Sequence, residues 1–254
     1  MNIALLGYGK MGKVLEEEAL KRGHQIGLII TSKNAEILNL ESLKDIDMAL
    51  EFSSPKTVVN NIYHCFDAGV PVVVGTTGWL EHWNLVVEDA RCRNQAFFYA
   101  SNFSLGVNLF FQLNAVLAKM MNEFPEYEAS IKEIHHRAKK DSPSGTAITL
   151  AEIILKNIPR IKSWVNEKTM ENLNSGNTQT SATSNPEKLV IQSVRMDPYP
   201  GTHEILYSSK EDEIEIRHTA KNRNGFAQGA IFAAEYLLGK KGVYTMNDLI
   251  NFSL

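Results

Sequence analysis

The sequence has few cysteines, no long apolar run and no excess of charge of one sign. Cys65 and Cys92 are its two cysteines, too few for a disulfide framework or a zinc knuckle, and they fit a reduced cytoplasmic setting. No stretch approaches the ~18 uninterrupted apolar residues of a membrane-spanning helix, and no basic segment typical of a signal peptide precedes the first apolar run. The 26 Lys plus Arg against 29 Asp plus Glu give a net charge of −3, which argues against a broad nucleic-acid or membrane surface. We therefore expect a cytoplasmic protein that binds neither.

The composition and length indicate a folded globular protein with room for two domains. Hydrophobic residues make up 44% of the 254 residues and charged residues 22%, an ordinary balance for a globular protein. At ~150 residues per domain, the length corresponds to about 1.7 domains, which means one large domain or two modest ones. A chain of this length buries roughly 70–75% of its unfolded surface, so it can fold without disulfides or bound metals.

The first hundred residues alternate short apolar runs with helical stretches. The runs are nearly continuous, which is typical of parallel strands buried on both faces. Strands that alternate with helices in this way predict an α/β fold with a doubly wound, Rossmann-type parallel sheet. The predicted strands are 3–6, 24–30, 48–52, 70–74 and 97–100, and the predicted helices are 10–22, 57–68 and 80–93. We expect this domain to cover residues 1–103 and to be completed by residues 222–254.

The pattern changes after residue 103. Alternation such as that of residues 213–217 indicates strands with one wet face, which are usually antiparallel. We therefore expect a second, α+β domain with a mixed or antiparallel sheet at 104–221. Residues 172–186 are rich in Asn, Ser and Thr and are expected to form a mobile loop. The predicted elements are helices at 107–121 and 226–238 and strands at 128–135, 189–195 and 214–218.

A Gly-x-Gly-x-x-Gly pattern lies directly after the first predicted strand and opens the first predicted helix, which is the context in which it binds a dinucleotide. The glycines permit a tight turn and a close backbone approach, and the helix N terminus offers N–H groups and its dipole to a pyrophosphate. Glycines also serve plain turns, but the strand–helix units that follow favour the dinucleotide interpretation. The expected cofactor-binding residues are Gly7, Tyr8, Gly9, Lys10, Met11 and Gly12.

The end of the second predicted strand bears on the choice between NADH and NADPH. An Asp or Glu at this place binds the ribose 2′-hydroxyl of NAD, whereas this chain has Thr31, Ser32 and Lys33. Hydroxyls and an ammonium group suit a 2′-phosphate, so we predict a preference for NADPH or use of both cofactors. The alternative is that Lys33 is an ordinary solvated loop lysine.

Two further segments follow predicted strands at the same edge of the sheet, and ligands bind at the carboxyl ends of strands in open α/β sheets. Each segment alone is explained by turn chemistry, but together with the glycine loop they favour a shared cofactor site. The expected residues are Gly75, Thr76, Thr77, Ala100, Ser101, Asn102 and Phe103.

Residues 133–146 combine charge, histidine and the start of a helix. Seven of the first nine residues are charged or His, which suits a small anionic substrate, and residues 144–146 can offer helix N-terminal donors to a carboxylate. A His and a Lys here can donate a proton when hydride arrives elsewhere on the substrate. The alternatives are a solvated charged face and a plain N-cap at Ser144. His135 and His136 point to opposite sides of a strand and no third ligand has suitable spacing, so we expect no metal.

Several motifs occur together along the chain. They are the glycine loop, Gly75-Thr76-Thr77-Gly78-Trp79, Ala100-Ser101-Asn102-Phe103-Ser104-x-Gly106, and above all Glu133-x-His135-His136-Arg137-x-Lys139-x-Asp141-Ser142-Pro143-Ser144-Gly145-Thr146-Ala147. In this combination the chain closely resembles the 4-hydroxy-tetrahydrodipicolinate reductase family, formerly called dihydrodipicolinate reductase. The resemblance implies NAD(P)H-dependent reduction of that substrate with loss of water, in the diaminopimelate route to lysine. It also implies a homotetramer, with substrate binding and oligomerisation in the second domain.

The resemblance further implies roles for individual residues. His135 would be the proton donor or acceptor and Lys139 the proton donor. His136 would contact the substrate, and Gly145 and Thr146 would bind one of its two carboxylates. A small dicarboxylate substrate would account for a basic cluster in a mildly acidic protein.

Two other functions stay open at this point. Another two-domain nicotinamide oxidoreductase, such as an amino-acid dehydrogenase, would use the basic cluster for a different carboxylate. A non-catalytic NAD(P)-sensing regulator could share the fold. Such a regulator would not need Lys139 within reach of a nicotinamide, and the sequence shows no DNA-reading helix-turn-helix to support it.

Overall fold

The computed structural model describes residues 1–169 and 185–250, which form two compact units. The first unit comprises Met1–Asn108 and Arg223–Leu254, and the second comprises Leu109–Asn222. Almost all of the loop expected at 172–186 lies outside the described residues. Within the two described ranges, no helix combines the length and apolarity needed to cross a bilayer.

The helices and strands are numbered in chain order. The helices are α1 Lys10–Lys21, α2 Val58–Ala68, α3 Trp83–Cys92, α4 Leu105–Met121, α5 Gly145–Asn157, α6 Asn224–Leu237 and α7 Met246–Leu249. The strands are β1 Asn2–Leu6, β2 Gln25–Ile30, β3 Met48–Glu51, β4 Val72–Val74, β5 Ala96–Tyr99, β6 Glu128–His135, β7 Ser163–Thr169, β8 Lys188–Arg195, β9 Gly201–Ser208, β10 Glu213–Ala220 and β11 Gly242–Thr245.

Six strands of the first unit form one parallel sheet. Its order is β11-β5-β4-β3-β1-β2, and each adjacent pair is parallel. The side chains of β1 alternate between two cores, because successive residues of a strand point to opposite faces. Ile3 and Leu5 pack with α1 and α6, whereas Ala4 and Leu6 pack with α2 and α3. Helices therefore cover both faces, which confirms the predicted doubly wound sheet.

The carboxyl-terminal segment adds α6 and β11 to this unit. β11 pairs in parallel with β5, with Gly242 opposite Ala96. α6 approaches the backbone at the end of β5 so closely that a Cβ at Gly229 would lie 1.7 Å from the carbonyl oxygen of Phe103. Glycine at 229 is therefore required for α6 to pack at this distance.

The first compact unit extends into the first turn of α4. The side-chain amide of Asn108 donates to the carbonyl oxygens of Asn102 at 2.8 Å and Ser104 at 2.9 Å. The hydroxyl of Ser104 accepts the N–H of Val107 at 3.3 Å. These bonds tie the first turn of α4 to the segment after β5, so the compact unit reaches to Asn108.

The second unit contains a mixed five-stranded sheet with the order β10-β9-β6-β8-β7. β9 is antiparallel to β6 and β10, whereas β8 is parallel to β6 and β7. The mixed sheet is confirmed, but the antiparallel preference inferred from alternation is wrong for β8. Apolar and polar side chains alternate along these parallel strands because the apolar core covers one face of the sheet and leaves the other open.

The two faces of this sheet differ in chemistry. On one face, Ile131, Ile191 and Ile205 lie opposite one another and pack with side chains of α4 and α5. The other face borders a groove of about 780 Å³ whose walls combine charged, polar and apolar side chains. We call it the open face and define it by residues of β6 and β9 that line the groove: Ser130, Lys132, Glu204, Leu206 and Ser208.

Candidate active site

The glycine loop between β1 and α1 makes a different demand at each glycine. Gly7 has a positive φ of 103°, and a Cβ there would lie 2.3 Å from the carbonyl oxygen of Phe52. A Cβ at Gly12 would lie 2.5 Å from the carbonyl oxygen of Gly7. Around a Cβ at Gly9, by contrast, no described atom comes within 4 Å. Packing within the protein requires Gly7 and Gly12, while Gly9 leaves the backbone open to a pyrophosphate.

The other residues of this loop surround the N terminus of α1. Gly9 is the N-cap and, among the described residues, no side chain caps the helix. The first N–H groups and the positive end of the helix dipole are therefore available to an anion. Lys10 is exposed and Met11 is half-buried. The hydroxyl of Tyr8 donates to Glu16, which raises the pKa of the tyrosine and anchors its ring to α1.

The turn after β2 is organised by Asn34, which sequence reasoning missed. Its Oδ1 accepts the N–H of Thr31 at 2.7 Å and the hydroxyl of Thr31 at 2.8 Å, while its Nδ2 donates to the carbonyl of Ile29 at 2.9 Å. The N–H of Lys33 donates to Thr31 Oγ1 at 3.1 Å. The hydroxyl proton of Thr31 is thus used within the turn. Ser32 and Lys33 are exposed and keep their side chains available to a ligand.

The segment after β4 packs on the segment after β3. The hydroxyl of buried Thr76 accepts the N–H of Ser53 at 2.9 Å. A Cβ at Gly75 would lie 2.1 Å from the ring of Phe52. Thr77 is exposed. Gly75 and Thr76 therefore shape this edge of the sheet, and Thr77 presents its side chain to the surroundings.

Glu51, the last residue of β3, is a fully buried carboxylate that sequence reasoning missed. Its Oε1 accepts hydrogen bonds from the hydroxyl of Ser53 and from Asn61 Nδ2, the latter at 3.1 Å. Its Oε2 finds no partner in the described part of the chain. Burial raises the pKa of Glu51 in spite of the opposing hydrogen bonds. The signal in the sequence was an acid at the end of an otherwise apolar strand.

The segment after β5 divides between core and surface. Ala100 and Phe103 are buried, and the ring of Phe103 stacks on Phe98. Ser101 is exposed, and Asn102 Oδ1 accepts a backbone N–H of the following turn at 2.9 Å. Contacts from Ala100 and Phe103 to a ligand would therefore use backbone atoms, whereas Ser101 and Asn102 have side chains at hand.

In the second unit, the strand register places polar groups beside the apolar core. Side chains two residues apart on a strand share a face, so Ile131, Glu133 and His135 follow one another along β6. Glu133 lies opposite Ser193 of β8 and His203 of β9. All three are at least nine-tenths buried. The helix-covered face therefore carries a polar row next to its apolar one.

His135 stands at the end of β6, opposite Arg195 of β8. Its Nδ1 lies 3.4 Å from Glu133 Oε2, and its ring meets that of His203 edge-on at 5.1 Å between centroids. A Cβ at Gly201 would lie 3.1 Å from His135 Nε2. A side chain at 201 would therefore crowd the imidazole, and glycine leaves it room.

Glu133 gathers several donors around one buried carboxylate. The N–H of Ser144 lies 3.1 and 3.0 Å from its two oxygens. The hydroxyl of Ser193 donates to Oε1 at 2.8 Å, and the guanidinium of Arg195 does so at 3.0 Å. Arg195 also donates to the carbonyl of Asp141 at 2.6 Å. Glu133 therefore joins the sheet to the start of α5, and Arg195 joins it to the preceding loop.

The buried cluster has an uneven distribution of charge. Burial, with the cations of Lys139 and Arg195, lowers the pKa of His135 to about 4, and burial lowers that of His203 to about 3. Burial alone would raise the pKa of Glu133, but its hydrogen bonds and the facing imidazole hold it below the ordinary value. At neutral pH the cluster therefore holds an ionised carboxylate and two neutral imidazoles.

Lys139 lies in the loop after β6. Its Nζ donates to Asp141 Oδ2 at 2.8 Å, with 22% of the lysine side chain exposed. Its N–H donates to the carbonyl of His136 at 3.1 Å, which folds residues 136–139 into a turn. The ammonium is close enough to contribute to the low pKa of His135. His136 is half-buried. The structure thus brings the predicted proton-transfer residues together.

The start of α5 is built to receive an anion. Ser144 is the N-cap, and its hydroxyl accepts the N–H of Ala147 at 3.2 Å. Gly145 and Thr146 are the first two helical residues, so their N–H groups have no partner within the helix. Gly145 is exposed, and the described residues put no atom within 4 Å of a Cβ at this position. The two N–H groups and the helix dipole can bind a carboxylate.

Sequence spacing gave no third metal ligand beside His135 and His136, but the fold places two further ligand groups next to His135. Glu133, His135 and His203 offer ligand atoms that all lie within 4.8 Å of one another. Sequence spacing could not reveal His203, which comes from β9. Both oxygens of Glu133 already accept hydrogen bonds, and the guanidinium of Arg195 would repel a cation. These contacts favour a hydrogen-bonded ion-pair cluster over a metal site.

Both halves of the chain match known proteins. A sequence profile described as "Dihydrodipicolinate reductase, N-terminus" matches residues 1–103, and one described as "Dihydrodipicolinate reductase, C-terminus" matches residues 106–250. The chain is 45% identical over 253 residues to 4-hydroxy-tetrahydrodipicolinate reductase of Christiangramia forsetii, covering 99% of this chain and 98% of that protein. It is 32% identical over 272 residues to the enzyme of the same name from Buchnera aphidicola subsp. Schizaphis graminum, covering 98% and 96%.

The fold has a close counterpart among solved structures. Dipicolinate-bound dihydrodipicolinate reductase from Paenisporosarcina sp. TG-14 matches with a TM-score of 0.77 over 98% of this chain and 99% of that one, at 24% identity. The two profiles span nearly the whole chain, and the amino-terminal one covers the glycine loop. The chain is therefore an NAD(P)H-using oxidoreductase with a small-molecule substrate, and it belongs to the dihydrodipicolinate reductase family.

Proposed function

We propose that this chain reduces 4-hydroxy-tetrahydrodipicolinate to tetrahydrodipicolinate with loss of water, a step in lysine and diaminopimelate biosynthesis. The observation that carries the proposal is the cluster of the second unit, in which His135, Lys139 and the start of α5 lie together. These groups suit a small dicarboxylate that must gain one proton. Relatives that carry this enzyme name align over nearly their whole length, which supports the same substrate.

The substrate is held through a carboxylate at the start of α5. The N–H groups of Gly145 and Thr146 point along the helix axis toward the open space before Gly145. A carboxylate there accepts two hydrogen bonds and gains from the helix dipole. His136, half-buried in the preceding loop, is the side chain proposed to contact the substrate.

The proton comes from Lys139. Because burial holds the pKa of His135 near 4, its imidazole is neutral at neutral pH. His135 is therefore not the acid that donates the proton. The ammonium of Lys139, held by Asp141, carries the proton that balances the hydride. A neutral His135 accepts or relays a proton during the reaction. Glu133 Oε2, 3.4 Å from Nδ1, stabilises the positive charge that then forms on the ring.

The cofactor is bound by the first unit, and when bound it supplies the hydride. Residues 7–12 hold the pyrophosphate through the N terminus of α1 and the open backbone at Gly9. Residues 75–77 and 100–103 line the site at the carboxyl ends of β4 and β5. Thr77, Ser101 and Asn102 contribute side chains, and the buried members contribute backbone atoms.

The preferred cofactor is NADPH. The turn after β2 carries Ser32 and Lys33 on its surface, and no carboxylate stands at this place to bind a ribose 2′-hydroxyl. An ammonium group and a hydroxyl suit the 2′-phosphate of NADPH. Thr31 contributes by shaping the turn through Asn34 rather than by donating its hydroxyl proton.

The active form is a homotetramer assembled through the open face of the second sheet, and it acts in the cytoplasm. The open face is a broad surface of charged, polar and apolar groups on a sheet whose other face forms the core. On it, Lys132 of β6 lies opposite Glu204 of β9, which itself pairs with Arg217 of β10 at 3.1 Å, so the face carries charges of both signs that a second copy can complement. Free Cys65 and Cys92 fit the reducing cytoplasm.

Oxidation of NADPH, coupled to the condensation of pyruvate with aspartate semialdehyde, tests the proposed function. We expect turnover with wild-type protein, and we expect Lys139→Ala to lower kcat by at least ~100-fold, the usual contribution of a positioned proton donor. The affinity of the variant for NADPH, measured by fluorescence titration, should be nearly unchanged. Lys156→Ala, at an exposed lysine of the same unit, is the matched control and should retain full activity.

The two remaining functions give different results in the same assay. An amino-acid dehydrogenase would oxidise or form an amino acid and leave the condensation product untouched. A regulator would bind NADPH without turnover of any carboxylate. Unchanged kcat in Lys139→Ala would contradict the role of that lysine while leaving the reductase activity in place.

A further inference from the structure

His203 is a buried histidine to which the proposed reaction gives no part. It is 5% exposed and lies on β9. In the polar row that crosses the sheet, it stands between Glu133 of β6 and His218 of β10. A polar side chain at such a position normally has a specific partner, because burying it without one is costly. Its surroundings therefore indicate what it does.

The partner of His203 is the N-cap of α5. Its Nε2 lies 3.1 Å from Ser144 Oγ. Ser144 Oγ already accepts the N–H of Ala147, so its own hydroxyl proton is free to be donated. A neutral imidazole offers one acceptor nitrogen for that proton. The same ring lies edge-on against His135. His203 thus touches both the residue that opens the anion-binding helix and the proton-transfer histidine.

We propose that His203 is a positioning residue, which aligns the start of α5 through Ser144 and holds the ring of His135 in place. This inference rests on the proposed function of the same site. Ser144 is fixed from two sides, with its N–H on Glu133 and its hydroxyl on His203. The two N–H groups that follow it therefore point in a fixed direction. A bound carboxylate and the proton-transfer group are thereby kept in a fixed position relative to each other, which transition-state binding requires.

Three substitutions at 203 separate the hydrogen bond from packing. His203→Leu keeps volume and removes the acceptor. His203→Gln places an amide group near the position of Nε2, and His203→Asn carries one too short to reach Ser144. We expect kcat/KM for the substrate to fall roughly tenfold or more in the Leu and Asn variants, the loss of about one hydrogen bond. The Gln variant should recover most of it, and KM for NADPH should not move in any of the three.

His218→Leu is the matched control, since His218 lies on the same row one strand away and its ring neighbours Phe110 instead of Ser144. It should keep the wild-type kcat/KM. Circular dichroism and thermal melts identify any variant at 203 that fails to fold. If the Leu variant does, the Asn and Gln pair still decides the question.

A double-mutant cycle with Ser144→Ala tests whether His203 acts through the N-cap. We expect the His203→Leu loss to shrink in the Ser144→Ala background, because the shared hydrogen bond is already gone. Additive losses, a fully active Leu variant, or a Gln variant as impaired as the Leu variant would each overturn the proposal. Failure of the proposed function is a separate result, in which the wild-type protein itself does not turn over the substrate.

Discussion

Glu133 concentrates many of the contacts of the second unit on one carboxylate. It is 0% exposed and is paired with Arg195 at 3.0 Å. A buried charge is tolerated when paired and hydrogen-bonded, and removal of one partner leaves the other unpaired. The stability of this region therefore depends on the charge of Glu133 as well as on its shape.

Glu133→Gln should lower the free energy of unfolding at pH 7 by about 3 kcal/mol, the cost of breaking a buried ion pair. The native pKa of Glu133 lies below its ordinary value. Its stabilising contribution is therefore present at neutral pH and is lost as the pH falls through that lowered pKa. Urea unfolding of both proteins from pH 7 down to about pH 3 should show the gap closing. A gap that stays constant with pH would contradict this explanation.

For Glu51, the expected change of stability with pH is the reverse of that for Glu133. Burial raises its native pKa, so the native state holds the proton more tightly than the unfolded chain does. The wild-type protein should therefore lose stability as the pH rises from the unfolded pKa through the native one. Glu51→Gln keeps the shape without the charge, and its stability relative to wild type should increase over that range. Urea unfolding between about pH 4 and pH 8 measures this, with exposed Glu41→Gln as control. A parallel pH dependence in wild type and Glu51→Gln would exclude the effect.

At the scale of elements, the sequence predicts best where the buried face is apolar. The strands of the first sheet from β1 to β5 and the helices α1 to α3 were found from apolar runs and glycine stops. β9 was missed because its buried face includes His203, which is polar. A hydrophobic pattern cannot reveal a strand whose inward side chains serve a site. β7 and β11 were missed as well, and β11 is only four residues long.

The turn after β2 shows the same limit on a smaller scale. Its residue types suggested a phosphate site, but the role of Asn34 depends on side-chain hydrogen bonds to Thr31 and Ile29 that no spacing rule predicts. Those bonds leave Ser32 and Lys33 as the exposed groups. The preference for NADPH is therefore expected to depend on Lys33 more than on Thr31.

Lys33→Ala should raise KM for NADPH and leave KM for NADH nearly unchanged, because NADH lacks the 2′-phosphate. We expect a change of about tenfold, since an exposed charge-assisted hydrogen bond contributes roughly 1.4 kcal/mol. Steady-state kinetics with each cofactor measure it, and Lys44→Ala, at another exposed lysine of the first unit, is the control. Equal changes for both cofactors, or a wild-type preference for NADH, would refute the assignment.

At the scale of the whole molecule, the site is assembled from segments far apart in the chain. The block at 133–146 was evident from sequence because it is contiguous. Arg195 and His203 reach it through strand pairing, from β8 and β9, and the register decides which side chains meet. One sequence without structure does not give that register. Local motifs therefore supplied the candidate groups of the site, and the residues that hold these groups in place became visible with the fold.

Assembly through the open face gives the last prediction. Leu206 lies on that face, on the same strand as Glu204. The neighbouring strand β10 contributes Glu213 and Glu215 to the same groove. Leu206→Glu would add a further negative charge and remove apolar contact, so it should break a tetramer into smaller species. Light scattering after size-exclusion chromatography measures the mass of each form. Leu85→Glu, at a 62% exposed leucine of α3, should leave the tetramer intact. A wild-type protein that runs as a monomer, or a Leu206→Glu tetramer as stable as wild type, would show that the subunits do not meet at this face.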